Sequence, residues 1–481
     1  MGGNYSEFLA SKRRAVQQVG FDVSIDEILD VIPKLWLWQA YVVQWALKTG
    51  RSAIFADCGL GKTLMQLAWA YFVHRHTGKP VLILCPWAVA QQTLAEAVRF
   101  GIPCPVVVAE SEFDIANDCG AGITNYQKLH LFNASCFGGV VLDESSILKN
   151  YTGATKQLLI ETFRFLKFKL CCTATAAPND LLELGNHAEF LGVMPSNEMI
   201  ARWFINDSMK CGHYRLRRHG EEDFWRWVSS WAICISRPSD LGEQFSDEGY
   251  ILPELRVIEH VVADENEGSM TSWGSSSSVS ATNHHAEKRA SLKERCETAA
   301  NLAKSNSEHW ALWCTTDYEA DFLLKCLGVK GDGLDDFGGI VEVRGSHSAK
   351  VKEERLKSFG PGRSRVIITK PDIGGYGMNW QHCHNTACFA SFSYEDWYQL
   401  VRRFLRFGQL SPFVACHMIF SENERSVVKT MKEKEDGHKN MKLGMADRMR
   451  EFTRSQLYER PLLSRYTPTV AVPAPKWLVT H

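Results

Sequence analysis

The sequence predicts an α/β protein made of two parallel-sheet units in tandem, and three observations carry that expectation. Short apolar runs alternate with amphipathic stretches from Leu35 to about Leu191. A Ser-rich stretch over 268–283 then breaks the rhythm, and the alternation resumes from Trp310 to Phe420. Strands that alternate with helices are joined by crossovers and settle as parallel sheets covered on both faces. A chain of 481 residues is also longer than one hydrophobic core organises.

In the first unit, 52–56, 81–85, 106–108, 139–142 and 169–172 read as strands, with helices over 63–74 and 88–100. In the second, the strands are 310–315, 340–343, 366–369, 386–390 and 414–420. Between them, 194–252 is rich in Trp and Arg and lacks a strand rhythm, and 253–262 is an extended apolar run. The domains that follow are a lead-in over 1–34, a first domain over 35–193, and a helical basic and aromatic insert with its return segment over 194–262. A flexible linker over 263–286, a second domain over 287–425 and a helical C-terminal tail over 426–481 complete the chain.

A net charge of -1 argues against a histone-like polyanion binder and leaves room for a local basic groove. The 15 cysteines contain no Cys-x-x-Cys pair, and Cys171-Cys172 lies in an apolar run, which suits reduced, buried thiols in a cytoplasmic setting. His382, Cys383 and His384 do not have the spacing of a zinc site. The polar N-terminus carries no secretory signal, and no apolar run reaches the length of a membrane span, so no membrane partner is expected.

The chemistry concentrates in two segments. Residues 54–63 read I-F-A-D-C-G-L-G-K-T, an apolar strand entering a Gly-containing turn and then a helix. Gly59 and Gly61 let backbone N–H groups curl around phosphate oxygens, and the helix N-terminus adds a favourable dipole. Lys62 can reach the β and γ phosphates of ATP, and the Thr63 hydroxyl can ligate Mg²⁺. The usual pattern opens with Gly, where this chain has Ala56.

Residues 139–146 read G-V-V-L-D-E-S-S, an apolar strand that delivers two acids to its C-terminal end, where open α/β sheets bind ligands. Asp143 is expected to hold the Mg²⁺, and Glu144 to orient and deprotonate the attacking water.

With these motifs the chain resembles the superfamily 2 helicases, nearest to the Swi/Snf-type DNA translocases and their compact bacterial and phage relatives. The resemblance runs from Leu35 to about Lys434, outside the middle insert, and implies two RecA-like domains with an ATP cleft between them. It implies that Gln39, after Trp38, reads adenine, and that Val81 to Pro86 and the I-T-N-Y segment ending at Asn125 and Tyr126 contact DNA. Asp143-Glu144-Ser145-Ser146 with the trailing Leu148-Lys149-Asn150 is similar to the family's D-E-x-x box. Thr173 and Thr175 stand in T-A-T-A-A-P where the family has T-G-T-P, and the implied role is coupling.

In the second unit, 369–381 resembles a Gly-rich loop facing ATP, with Gly375 as a cofactor contact. Residues 399–409, Q-L-V-R-R-F-L-R-F-G-Q, resemble the family's Q-x-x-x-R-x-x-R-x-G-Q box. Gln399 falls on its coupling position, and Arg403 and Arg406 fall on its two arginines. Such arginine fingers are worth about a thousandfold or more in rate.

The expected function is thus an ATP-dependent motor on DNA, with RNA as the alternative strand. A rival is an ATP-gated module that clamps DNA or recruits a partner nuclease or methyltransferase without moving or unwinding, and whether a nuclease or replication protein partners the chain is not written in the sequence. In the insert, Arg215, Arg217 and Arg218 are candidate phosphate contacts. The nearby tryptophans either stack on bases or, from the helical spacing of Phe224, Trp227, Val228 and Trp231, form a buried stripe.

Overall fold

The structure is a computed structural model that describes residues 18–86, 89–116, 118–149, 153–177, 180–206, 214–263, 289, 291–329, 339–360, 363–374, 379–390 and 394–457. The expected linker over 263–286 lies outside them, except for residue 263.

The first sheet is built from β1 (Arg51–Ala56), β2 (Val81–Cys85), β3 (Val106–Val108), β4 (Ala121–Asn125), β5 (Gly139–Asp143) and β6 (Phe168–Thr173). A short antiparallel pair follows, β7 (Phe204–Asn206) with β8 (Tyr214–Leu216), and then β9 (Ala232–Ile235). The order is β3-β4-β2-β5-β6-β1-β9, with every pairing parallel. The second sheet holds β10 (Glu254–Val262), β11 (Trp310–Trp313), β12 (Ile340–Glu342), β13 (Val366–Thr369), β14 (Asn385–Phe389) and β15 (Phe413–Ser421). Its order is β10-β15-β14-β11-β13-β12, again all parallel. The expected α/β fold of two parallel sheets in tandem is what the chain adopts.

The side-chain alternation of β1 shows why both faces of the first sheet are covered. Ile54 and Ala56 join the core under the helices Leu37–Thr49 and Lys62–Thr77, while Ala53 and Phe55 join the core under the helix Glu183–Leu191. Strands β2, β4 and β5 are buried at every position. β2 and β5 therefore read as apolar runs, whereas β4, Ala-Gly-Ile-Thr-Asn, carries two polar residues and is not among the expected strands.

The insert departs from expectation. Although 194–252 shows no strand rhythm, its Ala-Ile-Cys-Ile stretch is β9, and it pairs with β1 from Ala53↔Ala232 to Ala56↔Ile235. The first sheet therefore runs past residue 193 to 235. Four residues are too few for a period to be visible, and β9 is recruited by the exposed edge of β1 rather than by its own pattern. The return segment over 253–262 is β10, and it belongs to the second sheet through β15.

The tryptophan stripe is core: Trp225, Trp227 and Trp231 are 2%, 8% and 0% exposed, and Trp203 packs on Trp227 with ring centroids 4.7 Å apart. Base stacking by these rings is excluded by their burial.

The tail was expected to be charged and helical, and its helix Arg425–Leu457 does more than cap the chain. Val427, Val428 and Met431 enter the second-lobe core, and Met445, Ala446, Met449 and Phe452 enter the core of the first lobe and its insert. Near its far end Arg448 pairs with Glu221 at 2.7 Å and Arg450 with Asp240 at 3.2 Å, while Arg454 donates to the Ser239 carbonyl at 2.8 Å. A helix of 33 residues spans about 50 Å, so one element straps both lobes. Among the described residues no helix is long and apolar enough to cross a membrane.

Truncation of the fully buried Met449 tests the strap. Met449→Ala is expected to cost about 2–4 kcal/mol of stability, read by urea denaturation through the tryptophan fluorescence of the insert. A loss under about 0.5 kcal/mol, the scale of a surface change, would show that the helix does not hold the first lobe.

Candidate active site

The C-terminal ends of β1, β5 and β6 converge, because β6 lies between the other two in parallel register. That register sets Asp143 opposite Cys172, and Phe55 opposite Thr173. It delivers three segments to one edge: the phosphate-loop sequence after β1, the acid pair at the end of β5, and the two threonines after β6.

The loop turns through left-handed backbone at Gly59 (φ 88°) and Gly61 (φ 75°), conformations that glycine takes without strain. A Cβ on Gly61 would stand 2.4 Å from Gln39 Nε2. Gln39 is buried: its Oε1 accepts from the Trp36 amide at 3.0 Å, and its Nε2 donates to the Leu60 carbonyl at 2.9 Å. This pins the loop to the helix Leu37–Thr49 and fixes the carboxamide beside the phosphate-loop glycines. The Lys62 ammonium lies inside the curl of the loop, donating to the carbonyls of Ala56 at 2.8 Å and Asp57 at 3.2 Å. Thr63 is the next residue, in the first turn of the helix Lys62–Thr77.

Asp143 is 7% exposed, and its Oδ1 accepts from Gln66 Nε2 at 2.7 Å. Burial, then the neighbouring Glu144, pushes its carboxyl up to about 6, while Gln66 and the Lys62 charge pull the other way. Tyr126 anchors the strand end by donating to the Asp143 carbonyl at 2.6 Å.

Among the described residues Glu144 is the one non-glycine at positive φ, 54°, a conformation that costs of order 1–3 kcal/mol and persists where surroundings enforce it. Thr173 Oγ1 donates to Glu144 Oε2 at 3.3 Å, and the Thr175 amide donates to Thr173 Oγ1 at 3.1 Å. Thr173 therefore reaches the acid candidate directly, and Thr175 reaches it through Thr173. Ser145 continues the chain into the core, where its hydroxyl meets His187 Nε2 at 3.1 Å, and burial pushes that imidazole down to about 4.

The second lobe meets this loop. A Cβ on Gly59 would stand 2.7 Å from Phe407 Cδ2, and Phe407 itself packs in the first-lobe core against Tyr250. Tyr398 donates to Asp57 Oδ1 at 3.4 Å, and Arg402 Nη2 lies 3.9 Å from the same oxygen.

Of the two expected arginines, Arg403 is buried with its guanidinium donating to Gln399 Oε1 at 3.0 Å and to the Gln399 carbonyl at 3.3 Å, and Arg406 is half-buried one turn on. Their box is held by a backbone bond from the Trp380 amide to the Arg403 carbonyl at 3.2 Å and by the Gln409 side chain, whose Nε2 donates to the Cys383 carbonyl at 2.9 Å. Gly375 lies outside the described residues.

Sequence reading missed Asp57, Gln66, Tyr398, Arg402 and Phe407. Only Gln66 had a local signal, standing four residues after Lys62 on one helical face.

On another part of the seam, a cavity of about 820 Å³ is lined by Arg99, Asn125 and Lys128 of the first lobe and by Lys350, Lys357 and Asn379 of the second. Asn125 Oδ1 caps the following turn by accepting from the Lys128 amide at 3.1 Å. In the insert, Arg217 is structural, donating to the carbonyls of Phe204 at 3.1 Å and Ala201 at 3.2 Å. Arg215 and Arg218 are exposed beside it.

Asp143 offers a pH test. A carboxyl whose folded pKa lies above its unfolded value disfavours folding as pH rises from about 4 to 6, and the cost then stays constant. Asp143→Asn keeps an acceptor for Gln66 and removes the buried charge. It is expected to stabilise the fold by about 3 kcal/mol at pH 8, with the gain fading as pH falls to 4. Thermal melts across that range check the sign; a variant less stable at pH 8 would refute it.

No family profile matches the chain, and no curated protein matches it. Among solved structures it is similar to the Sulfolobus solfataricus SWI2/SNF2 ATPase core in complex with dsDNA, with a TM-score of 0.41 and 14% identity, covering 91% of this chain and 98% of that one.

Proposed function

We propose that the chain is a DNA-dependent ATPase that couples ATP hydrolysis to movement along DNA, in the manner of superfamily 2 motors. One observation carries the proposal: the phosphate-loop sequence of the first lobe is met by an arginine-rich segment of the second, with Phe407 on Gly59 and Arg402 beside Asp57. A nucleotide cradled at such a seam couples its phosphate state to the contact between lobes.

ATP lies in the cleft with Gln39 toward adenine, Lys62 on the phosphates, and Gly59 and Gly61 supplying backbone N–H groups. Thr63 and Asp143 offer hard oxygen donors, which suit Mg²⁺; when bound, the ion neutralises charge on the phosphate oxygens. Glu144, held by Thr173, takes the proton of the attacking water. Thr175 supports Thr173, so a shift of the β6 loop is felt at Glu144. Arg403 and Arg406 enter the site as the lobes close, with Gln399 orienting Arg403. Gly375 is proposed as a further nucleotide contact from the same side.

The DNA strand is proposed to cross the seam at the cavity that both lobes line, where Asn125, Lys128, Lys350 and Lys357 meet the backbone. Arg215 and Arg218, which line a separate cleft on the insert with Arg217 and His219, are proposed as further phosphate contacts. Such a motor needs the cytoplasm's ATP.

Lys62→Ala and Glu144→Gln are each expected to lower ATP turnover by a hundredfold or more, the scale of a lost general base or phosphate contact, with unchanged circular dichroism. Normal turnover in a folded Glu144→Gln protein would remove Glu144 from its role. Turnover compared with duplex DNA, single-stranded DNA and RNA separates the strand types; stimulation by RNA alone would overturn the DNA assignment.

Replacing Arg215 and Arg218 by Ala is expected to reduce the slope of log affinity against log salt by up to about 2. An unchanged slope would take the insert out of the DNA path.

A further inference from the structure

Asp57 is the acid in the phosphate-loop sequence, directly after β1, and it is only 7% exposed. A buried carboxylate beside an anion site opposes anion binding through like charge, so its place there calls for a cation that answers it. The second lobe supplies one. Arg402 Nη2 lies 3.9 Å from Asp57 Oδ1, and its guanidinium stands 5.0 Å over the Tyr398 ring, whose hydroxyl donates to the same oxygen at 3.4 Å. Phe407, from the same box, seats on Gly59 two residues along the loop. One segment of the second lobe thus touches the phosphate loop at Asp57 and Gly59, and does so through residues other than Arg403 and Arg406.

The geometry favours exchange. A charge-assisted bond to an acid is about 2.7–2.9 Å long, so 3.9 Å is an ion-pair contact that a better acceptor can replace. A guanidinium fork matches the oxygens of a phosphate, and Lys62, the proposed phosphate ligand, already donates to the Asp57 carbonyl at 3.2 Å. Tyr398 remains to satisfy Asp57 when the arginine leaves.

We propose that Asp57 and Arg402 form an interlobe latch in which Arg402 alternates between Asp57 and the γ-phosphate of ATP, so that Asp57 competes with ATP for this arginine. The latch rests on the phosphate-loop reading above. It makes Arg402, beside Arg403 and Arg406, a residue through which the second lobe distinguishes ATP from ADP, and Asp57 the residue that sets how much binding energy is spent on breaking the resting contact.

The test measures affinities of the full chain for adenylyl-imidodiphosphate and for ADP by calorimetry, with Mg²⁺ present. Asp57→Asn is expected to tighten the triphosphate analogue about fivefold or more and ADP less than twofold. Arg402→Ala is expected to weaken the analogue about tenfold, leave ADP within twofold, and abolish the gain from Asp57→Asn in the double variant. Tyr398→Phe removes the hydroxyl that satisfies Asp57 once the arginine leaves, so it is expected to weaken the analogue with little change for ADP, opposite in direction to Asp57→Asn, which keeps the latch testable if Asp57→Asn does not fold.

An equal gain from Asp57→Asn with and without Arg402, or equal effects on the two nucleotides, would overturn the latch. Lys62→Ala separates the two ideas. If it loses both nucleotides while the Asp57, Tyr398 and Arg402 variants bind like wild type, the latch alone fails. If Lys62→Ala binds both as wild type does, the phosphate-loop reading fails and takes the latch with it.

Discussion

The contact on which the rest depends is the one between a glycine and a phenyl ring across two domains. Gly59 has no side chain, and Phe407 occupies the space where one would be. That close approach lets the second lobe reach the loop after β1, and it brings Tyr398 and Arg402 to Asp57. The apolar seam continues on both sides: Phe407 is counted in the first-lobe core with Trp38 and Tyr250, while Ala174 and Cys58 of the first lobe pack against the second-lobe core. Two sheets with separate cores are thereby tied at the place where the polar groups collect.

Those polar groups form a chain with a direction. The Thr175 amide holds Thr173, Thr173 holds Glu144, and Glu144 sits in a strained backbone conformation next to an Asp143 carboxyl that burial has made reluctant to ionise. Gln66 and Lys62 offset part of that reluctance from the neighbouring helix. Buried groups that cannot all be satisfied at once are costly, and here they lie at the carboxyl ends of parallel strands, where α/β sheets place their chemistry.

The long C-terminal helix adds a mechanical constraint of a different kind. Its early residues belong to the second-lobe core and its late residues to the first-lobe core and insert. Any rotation of the lobes about the seam must therefore bend this helix, slide it, or carry the insert with it. Gly437 and Gly444 stand between the two packed ends.

The sequence by itself determined the fold class and named segments from which the candidate site is built. Fully buried parallel strands are written as unbroken apolar runs, so β2, β5 and β13 could be read directly, and glycines followed by Lys62 and Thr63, or an acid pair after an apolar strand, need only local order to be recognised. What the tertiary structure decided has no local trace. β9 is a strand because the edge of β1 is open to it, the tryptophans of the insert are core because Trp203 faces them, and Arg217 is a structural pin because two carbonyls lie within its reach. Nothing in the spacing of residues 399–409 separates Arg402 from Arg403. Which of two adjacent guanidinium groups faces its own helix and which faces Asp57 is settled only when a second domain is packed against the first.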